Sequence, residues 1–364
     1  MTIPITGQPP VPSLSEPDTF NTKALNLFTW QTGSMLDQFN NVDPNDFFDI
    51  PALTAAAAQS QNTNAIINGT FDIWQRGTTI TGEGYGSDRW LLNSAGGVAT
   101  HSRQAFPVGT NAGKNTPKYY MRVNSSGQSG SNYVHTIHKI EDVRSFAGET
   151  VTILGWAKRS SGSGDMSVEV YQQFGAGGST SVATFAGKVP LTGSLEPFSA
   201  VVNVPSIVGK TIGSSGDHVQ VGFFTSAGTG LDARTDSLGI QTIGVDLWGV
   251  HILSGTHDVE ACDNYVAPRV VDELPRCQRY YQEVAASARG HAQAFGEWSV
   301  NTVNHSTMRA TPSVVMDGSA GREVNDYAIT TYQNRDNGLA FGVRAATAGD
   351  VSATGYVLKL DSEL

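Results

Sequence analysis

The stretch that decides the fold is Asn68-Gly69-Thr70-Phe71-Asp72-Ile73-Trp74-Gln75-Arg76-Gly77, which is followed closely by Ser87-Asp88-Arg89-Trp90. Its residue types pack rather than react, and it opens a long series of short apolar segments separated by Gly, Ser, Asn and Pro. Short apolar runs at this spacing are typical of antiparallel sandwiches and jelly rolls. We therefore expect a β-domain to begin here.

Between residues 65 and 268, several segments have the length and apolar pattern of strands, and Gly- and Ser-rich turns separate them. No helical period lies between these segments, which excludes the alternation of a parallel α/β sheet. The sequence predicts an antiparallel jelly-roll sandwich with strands at Tyr119–Val123, Tyr133–Ile140, Val151–Trp156, Ser167–Phe174, Phe198–Val204, His218–Phe224 and Val245–Leu253.

The last part of the chain has a similar but weaker pattern. Its strand-like segments are Phe295–Trp298, Met308–Val314, Tyr327–Tyr332 and Gly355–Leu360. We expect a mainly β protein with three parts: an N-terminal segment at residues 1–60, a jelly roll at 61–272 and a small C-terminal β-domain at 273–364.

The N-terminal segment has a different character. Prolines between Pro4 and Pro17 favour an extended chain, and Asp18 or Thr19 can cap a helix that runs to Asn40. This helix either packs on its own domain or serves as a docking or oligomerisation helix. The candidate docking residues lie three to four apart on one face, with a tryptophan beside them: Leu25, Phe28, Trp30, Met35, Leu36 and Phe39.

The composition excludes some classes of partner. The 364 residues are enough for two or three domains; 15% are charged, 40 are glycines and the formal net charge is −10. No cluster of Lys and Arg is present, so nucleic acid is not an expected partner. The segment Met1–Pro12 does not resemble a signal peptide, and no window approaches the ~18–20 apolar residues of a membrane span. We expect assembly in a cytoplasm without membrane insertion.

The cysteine and aspartate spacings do not indicate a metal site. Cys262 and Cys277 lie 15 positions apart, which makes no metal framework and leaves one disulfide open. We expect two free, buried thiols. Asp232, Asp236 and Asp246 either bind a calcium ion or are solvated. We expect neither a metal nor a cofactor.

Aromatic residues are the first candidates for contact with sugars, because an aromatic ring stacks on the apolar face of a pyranose. Tyr85 lies between two glycines, and Tyr171 is followed by Gln172 and Gln173. Tyr85, Tyr171 and Gln173 are therefore our candidate ligand-binding residues. Four tryptophans lie in strand-like runs and are predicted to be structural core instead: Trp74, Trp90, Trp156 and Trp248.

Catalytic motifs are absent from the sequence. No HExxH, Gly-x-Ser-x-Gly, phosphate-loop or dinucleotide motif is found. Arg76, with Asp88 or Arg89, is better explained as an arginine–carboxylate clamp on the first strands than as support for a general acid. We predict that the chain is not an enzyme and assign no catalytic residue.

The ordered segments of this chain resemble a known family. The opening stretch is similar to the start of the carbohydrate-binding-module-like jelly rolls of bacteriophage tail fibres and other virion appendages. Further resemblance to this family comes from Ile137–Val143, Ala147–Ile153, Gly155–Lys158, Leu247–Ile252 and Glu273–Tyr281, although Arg276 stands between the proline and the cysteine of the last motif. Pro12–Phe20 with the following helix resembles the segment that attaches such proteins to the particle.

This resemblance implies a phage structural protein of fibre, spike or tail-tip type. Residues 1–60 would bind other virion proteins, the chain would form a homotrimer, and loops of the sandwich would bind host-surface polysaccharide. Two alternatives remain open. One is a head or tail decoration or adaptor protein without glycan binding, and the other is a depolymerase of capsule polysaccharide, which needs a pair of carboxylates that the sequence does not identify.

Overall fold

The computed structural model describes residues 64–318, 321–335 and 338–364. The predicted attachment segment and its docking helix lie outside the described residues. Within them the chain is mainly β, and its sheets are antiparallel. This confirms the predicted fold class for the jelly roll and the C-terminal β-domain.

Two six-stranded sheets form the jelly roll. Sheet 1 has the spatial order β1 (Thr79–Thr81), β4 (Val98–Ala105), β5 (Tyr119–Ser126), β12 (Ile243–Ser254), β7 (Thr150–Gly162) and β10 (Glu196–Asn203). Sheet 2 has the order β2 (Gly84–Tyr85), β3 (Trp90–Ala95), β6 (Tyr133–Glu141), β11 (His218–Ala227), β8 (Asp165–Gln173) and β9 (Val182–Pro190). From β5 to β8 and from β9 to β12 the chain changes sheet at each step, which is the connectivity of a jelly roll.

All seven strands predicted for the jelly roll are present, with bounds that differ from the predicted ones by one to six residues. Strands β1, β2, β3, β4 and β9 were not predicted. Strand β4 reads Val-Ala-Thr-His-Ser-Arg-Gln-Ala, so polar residues hide its alternation. It is a strand because it pairs along its whole length with β5.

Two smaller sheets form the C-terminal β-domain. Sheet 3 has the order β13 (Tyr281–Ala292), β19 (Gly349–Asp361) and β15 (Ser313–Asp317), and β16 (Arg322–Val324) also pairs with β19. Sheet 4 has the order β14 (Trp298–Asn304), β18 (Gly338–Ala345) and β17 (Asp326–Arg335). Their facing side chains make a separate core that includes Phe341, Tyr356 and Leu358.

Two predicted C-terminal strands begin later than expected. Phe295–Glu297 form a turn, with Gly296 at φ +85°, and β14 starts only at Trp298. In the predicted segment Met308–Val314, only the last two residues belong to β15, because Pro312 has no backbone N–H for a sheet.

Short helices connect these sheets. The turn η1 (Thr229–Leu231) and helix α1 (Asp232–Thr235) follow β11, and η2 (Val259–Asn264) follows β12. Helix α2 (Val270–Gln278) joins the jelly roll to β13 and contains the predicted domain boundary between residues 272 and 273.

The opening stretch is not a strand but an irregular segment tied by one asparagine. The buried Asn68 side chain donates from Nδ2 to the backbone oxygen of Ile73 (2.8 Å) and to Ser87 Oγ (2.7 Å), while its Oδ1 accepts from the Ile73 N–H. Its backbone oxygen accepts from the indole of Trp90. Gly69 is required here because a Cβ atom would lie 2.0 Å from the backbone oxygen of Val250.

The four tryptophans predicted as core are all buried. Trp74 and Trp90 belong to the large core between sheets 1 and 2, which extends over most inward positions of the jelly roll. Trp156 and Trp248 pack against Tyr265 and Cys262 in a smaller cluster beside sheet 1. Cys262 and Cys277 are free and buried, as predicted, and burial raises the pKa of the Cys262 thiol to about 11.

A buried arginine connects the jelly roll to the C-terminal β-domain. The side chain of Arg89 is 1% exposed, and its Nη1 donates to the carboxylate of Glu363, which is 6% exposed. Its Nη2 donates to the backbone oxygen of Lys139 (2.6 Å), and its guanidinium lies 3.4 Å from the ring centroid of Tyr280. These contacts fix the end of β19 against β6 of sheet 2.

Arg76 extends the same junction. Its guanidinium lies 3.6 Å from the ring centroid of Tyr281 and pairs with Asp361 (3.1 Å) and Glu363 (3.3 Å). The predicted clamp therefore exists, but its carboxylates come from the C-terminal end of β19 rather than from Asp88. Asp88 instead accepts hydrogen bonds from the backbone and side chain of Gln75.

Within the described ranges, no helix has both the length and the apolar character needed to cross a membrane.

We expect the free energy of unfolding to fall in acid because His101 is buried. Burial lowers the pKa of His101 to about 3, whereas an unfolded histidine has a pKa near 6.5. Below pH ~6.5 the unfolded chain therefore binds a proton that the folded chain does not, and His101 costs about 1.4 kcal/mol of stability per pH unit as the pH falls. Above pH ~6.5 this loss is absent.

The measurement is the urea midpoint of the native chain and of His101→Gln at several pH values between neutral and mildly acidic. The difference between the urea midpoints of the two chains cancels the contribution of the other titrating groups. Parallel pH profiles for the two chains would contradict the prediction.

The Arg89 junction predicts a large loss of stability on truncation. Arg89→Met leaves the Glu363 carboxylate buried without its main partner, which costs about 3–5 kcal/mol for a buried pair broken on one side. Denaturant unfolding measures this loss. The double variant Arg89→Met/Glu363→Gln should recover part of it, and Arg269→Met, which breaks an exposed pair with Asp272, should leave the midpoint nearly unchanged. Equal midpoints for Arg89→Met and Arg269→Met would show that the Arg89 contacts do not stabilise the fold.

Candidate functional site

Strand β6 shows how sheet 2 makes both a core and an outer surface. Because successive side chains point to opposite faces of a strand, His138 faces inward, where its Nε2 accepts from the Ile67 N–H (3.0 Å). His135, Ile137 and Lys139 face outward. This outer face was not predicted as a site from the sequence.

A cleft of about 390 Å³ lies on the outer face of sheet 2. Its volume is within the range of about 300–1,000 Å³ that is typical of small-molecule sites. Its walls come from the turn before β2, from strands β3, β6, β8 and β11, and from the η1–α1 segment. The residues that line it are Glu83, Leu91, Asn93, Tyr133, His135, Ile137, Lys139, Tyr171, Gln173, Gln220, Phe224, Leu231 and Arg234.

Rings form part of the wall of this cleft. The His135 and Phe224 rings stack, with centroids 3.7 Å apart and planes 7° apart, because strand pairing places the two residues opposite each other. Tyr133 meets Phe224 edge to face at 6.5 Å. Gly222 allows this arrangement, because a Cβ atom there would lie 2.0 Å from His135 Nε2.

A buried ion pair holds the η1–α1 segment against the cleft. Arg234 donates from Nε (2.9 Å) and from Nη2 to the carboxylate of Glu169, which is fully buried. The guanidinium also lies 5.1 Å from the ring centroid of Tyr171 and 5.5 Å from that of Phe224. Arg234 is therefore fixed by both charge and stacking.

Burial and the nearby Arg234 charge favour the neutral form of His135. Its Nε2 lies 3.5 Å from Glu169 Oε1, yet burial and the nearby Arg234 charge lower the pKa of His135 well below its usual value. Burial raises the pKa of Glu169, and the Arg234 guanidinium opposes that rise. The cleft is thus lined by an imidazole whose uncharged form is favoured, and both oxygens of the nearby Glu169 carboxylate are bonded to Arg234.

Backbone geometry completes the placement of α1. Ser167 Oγ donates to the backbone oxygen of Thr235 (2.7 Å), which fixes the end of α1 over β8. Asp236 and Ser237 then take positive φ values of 51° and 52°, which end the helix and turn the chain away.

Amide side chains supply hydrogen-bonding groups along the cleft. Asn93 Oδ1 accepts from the Tyr133 hydroxyl (3.2 Å), and Gln173 Oε1 accepts from the Phe174 N–H (3.0 Å) and Ser181 Oγ (2.9 Å). The Gln220 Nε2 group donates to His218 (2.8 Å). These internal bonds orient the amides before any ligand arrives.

The structure brings together two of the three candidate ligand-binding residues. Tyr171 and Gln173 both line the cleft. Tyr85 lies outside it, 5.0 Å from the Arg76 guanidinium, and its hydroxyl is buried without a hydrogen-bond partner among the described residues. Burial raises the pKa of Tyr85.

The three aspartates considered for calcium do not converge. Asp246, on β12 of sheet 1, is buried and accepts from Arg122 Nε (2.6 Å), with Lys158 Nζ at 3.6 Å. Asp236 pairs instead with Lys188 at 3.3 Å. Within the part of the chain that the structure describes, no group of three or more His, Cys, Asp or Glu side chains is placed to hold a metal ion.

Most of the cleft was missed by sequence reasoning. Phe224 reads as core because it follows another phenylalanine, and Arg234 lies in a Gly-rich loop far from its partner Glu169. One signal was available: the outward positions of β6 are Tyr133, His135, Ile137 and Lys139, a mixture of aromatic and polar residues that a solvated face does not need.

Comparison with known proteins found no matching family model and no matching curated protein. Among solved structures, similar chains include a cyclase from Fischerella sp. TAU in complex with 4-(1H-indol-3-yl)butan-2-one (TM-score 0.34, 10% identity), covering 52% of this chain and 96% of its own. A xylan-binding domain from Paenibacillus barcinonensis (TM-score 0.29, 12% identity) covers 49% and 94%. A cellulose-binding domain of a Cellulomonas fimi β-1,4-glucanase (TM-score 0.29, 14% identity) covers 52% and 95%. TM-scores this low carry no argument about fold or function. The fold is therefore assigned from the sheet topology, and the function is proposed from the cleft.

Proposed function

We propose that the chain binds carbohydrate reversibly in the cleft on sheet 2. The observation that carries this proposal is the combination of rings and oriented amides on one rigid sheet face. Tyr133, Tyr171 and Phe224 offer aromatic surface, and Asn93 and Gln173 offer polar groups beside it. A sugar needs both, because its ring has apolar C–H faces and a rim of hydroxyls.

The cleft is less suited to hydrolysis. Glycoside hydrolysis needs one carboxylic acid and a second carboxylate in the same cleft. Among the described residues that line the cleft, Glu83 is the one carboxylate. The nearby Glu169 has both oxygens bonded to Arg234. Non-covalent binding is therefore the better use of this surface.

The setting that we propose for this binding is a phage virion. The support is the sequence resemblance to tail-fibre and virion-appendage proteins. On this proposal residues 1–60 attach the chain to the particle, and the cleft binds host-surface polysaccharide. A homotrimer would raise the effective concentration of a weak site at a repetitive glycan.

Truncation of one ring tests the binding proposal. Tyr171→Ala removes stacking surface from the cleft and should weaken binding to glycan microarrays and adsorption to host cells by about tenfold, or ~1.4 kcal/mol. Tyr119→Ala, a tyrosine on sheet 1 away from the cleft, is the matched control and should bind normally. Unaltered glycan binding by Tyr171→Ala, with its fold intact by circular dichroism, would show that the cleft is not the binding site.

The virion setting has a separate test. Antibody against the chain should label one defined position on intact phage particles in electron micrographs, and deletion of residues 1–60 should abolish this incorporation. A deletion variant that is still incorporated would rule out the attachment role of the N-terminal segment. Labelling of particles by a chain that ignores host cells would favour the adaptor alternative.

A further inference from the structure

The hydrogen-bonding groups of the cleft are unequally used. The side-chain oxygens of Asn93 and Gln173 accept hydrogen bonds from within the protein. The nitrogens of the same amides, Asn93 Nδ2 and Gln173 Nε2, make no hydrogen bond within the described residues. Each amide therefore uses its acceptor within the fold and leaves its donor open for another partner.

The two cations of the cleft add further donors. Arg234 uses Nε and Nη2 for Glu169, and its Nη1 makes no hydrogen bond within the described ranges. Lys139 donates one of the three N–H groups of its ammonium to the backbone oxygen of Leu364. A fixed guanidinium and a lysine ammonium therefore both line the same cleft.

Few acceptors oppose these donors. The Gln220 oxygen remains open, because its amide nitrogen is the atom bonded to His218. Glu83 lies in the turn between β1 and β2 and is exposed, so water screens its charge. Burial lowers the pKa of His135, which favours its uncharged form.

We infer that the cleft selects acidic glycans, with carboxylate-bearing sugar residues held by Lys139 and by the free Nη1 of Arg234. This inference rests on the proposed glycan binding and adds the chemical class of the ligand. A carboxylate supplies the acceptors that the cleft lacks, and hydrogen bonds between charged partners are the stronger kind. The formal net charge of −10 disfavours the approach of anions to the protein as a whole. Two cations in one cleft therefore stand out against the charge of the rest of the chain.

The test compares polymers that differ only in charge. Polygalacturonate, alginate and hyaluronate are arrayed beside their carboxyl-reduced, neutral forms and beside neutral xylan and cello-oligosaccharides. The full chain should bind at least one acidic polymer about tenfold more tightly than its reduced form. This preference should shrink as salt rises.

Charge variants assign the effect to the cleft. Lys139→Gln should lose about tenfold in affinity for the acidic polymer and remain unchanged toward the reduced form. Lys114→Gln removes an exposed lysine near Asn264, away from the cleft, and is the matched control. Arg234→Gln should show the same selective loss, and Lys139→Gln keeps the test valid if the Arg234 variant does not fold.

Four outcomes would overturn the inference. Equal binding to acidic and reduced polymers, or binding to neutral polymers alone, would refute the acidic preference while leaving glycan binding in place. An acidic preference that Lys139→Gln and Arg234→Gln both retain would place the recognition elsewhere on the chain. Binding to no polymer on the array would overturn the proposed function together with this inference.

Discussion

The described part of the chain depends on the buried pairing of Arg89 with Glu363. A guanidinium that is 1% exposed is unstable in a protein interior unless its charge is neutralised and its N–H groups are bonded. Glu363, the backbone oxygen of Lys139 and the ring of Tyr280 together meet those needs. Because the partners come from both β-structures, the jelly roll and the C-terminal β-domain stabilise each other at this point.

Alternation along sheet 2 allows one set of strands to serve two purposes. Inward residues of β6 and β11, such as Val134 and Val221, fill the core, while outward residues line the cleft. The core therefore fixes the spacing of the outward side chains. A ligand site on paired strands is more rigid than one on loops. The cleft that we propose lies on strands, whereas the sequence resemblance led us to expect a site on loops.

The jelly roll was predictable because its central strands are long, apolar and punctuated by glycine. Strands such as β9 and β13 were missed because Ala, Gly and polar residues carry little periodic signal, and their neighbours in the sheet determine their structure. The partner of Arg89 is 274 residues away in sequence, so local patterns could identify a clamp but not its carboxylate. The same limit explains why sequence reasoning named Tyr171 and Gln173, which lie close together on one strand, but not Arg234, which is bonded to Glu169 across 65 residues.

The two buried glutamates have parallel effects on the cleft. Glu169 fixes Arg234 and with it the η1–α1 wall, and Glu363 fixes Arg89, which bonds to the backbone of Lys139 at the other side. Each ion pair requires desolvation of two charges, so neither is explained by stability alone. Their common consequence is a cleft whose side chains are held in place before a ligand binds. A site prepared in this way loses little conformational entropy on binding, which matters most where the binding surface is shallow.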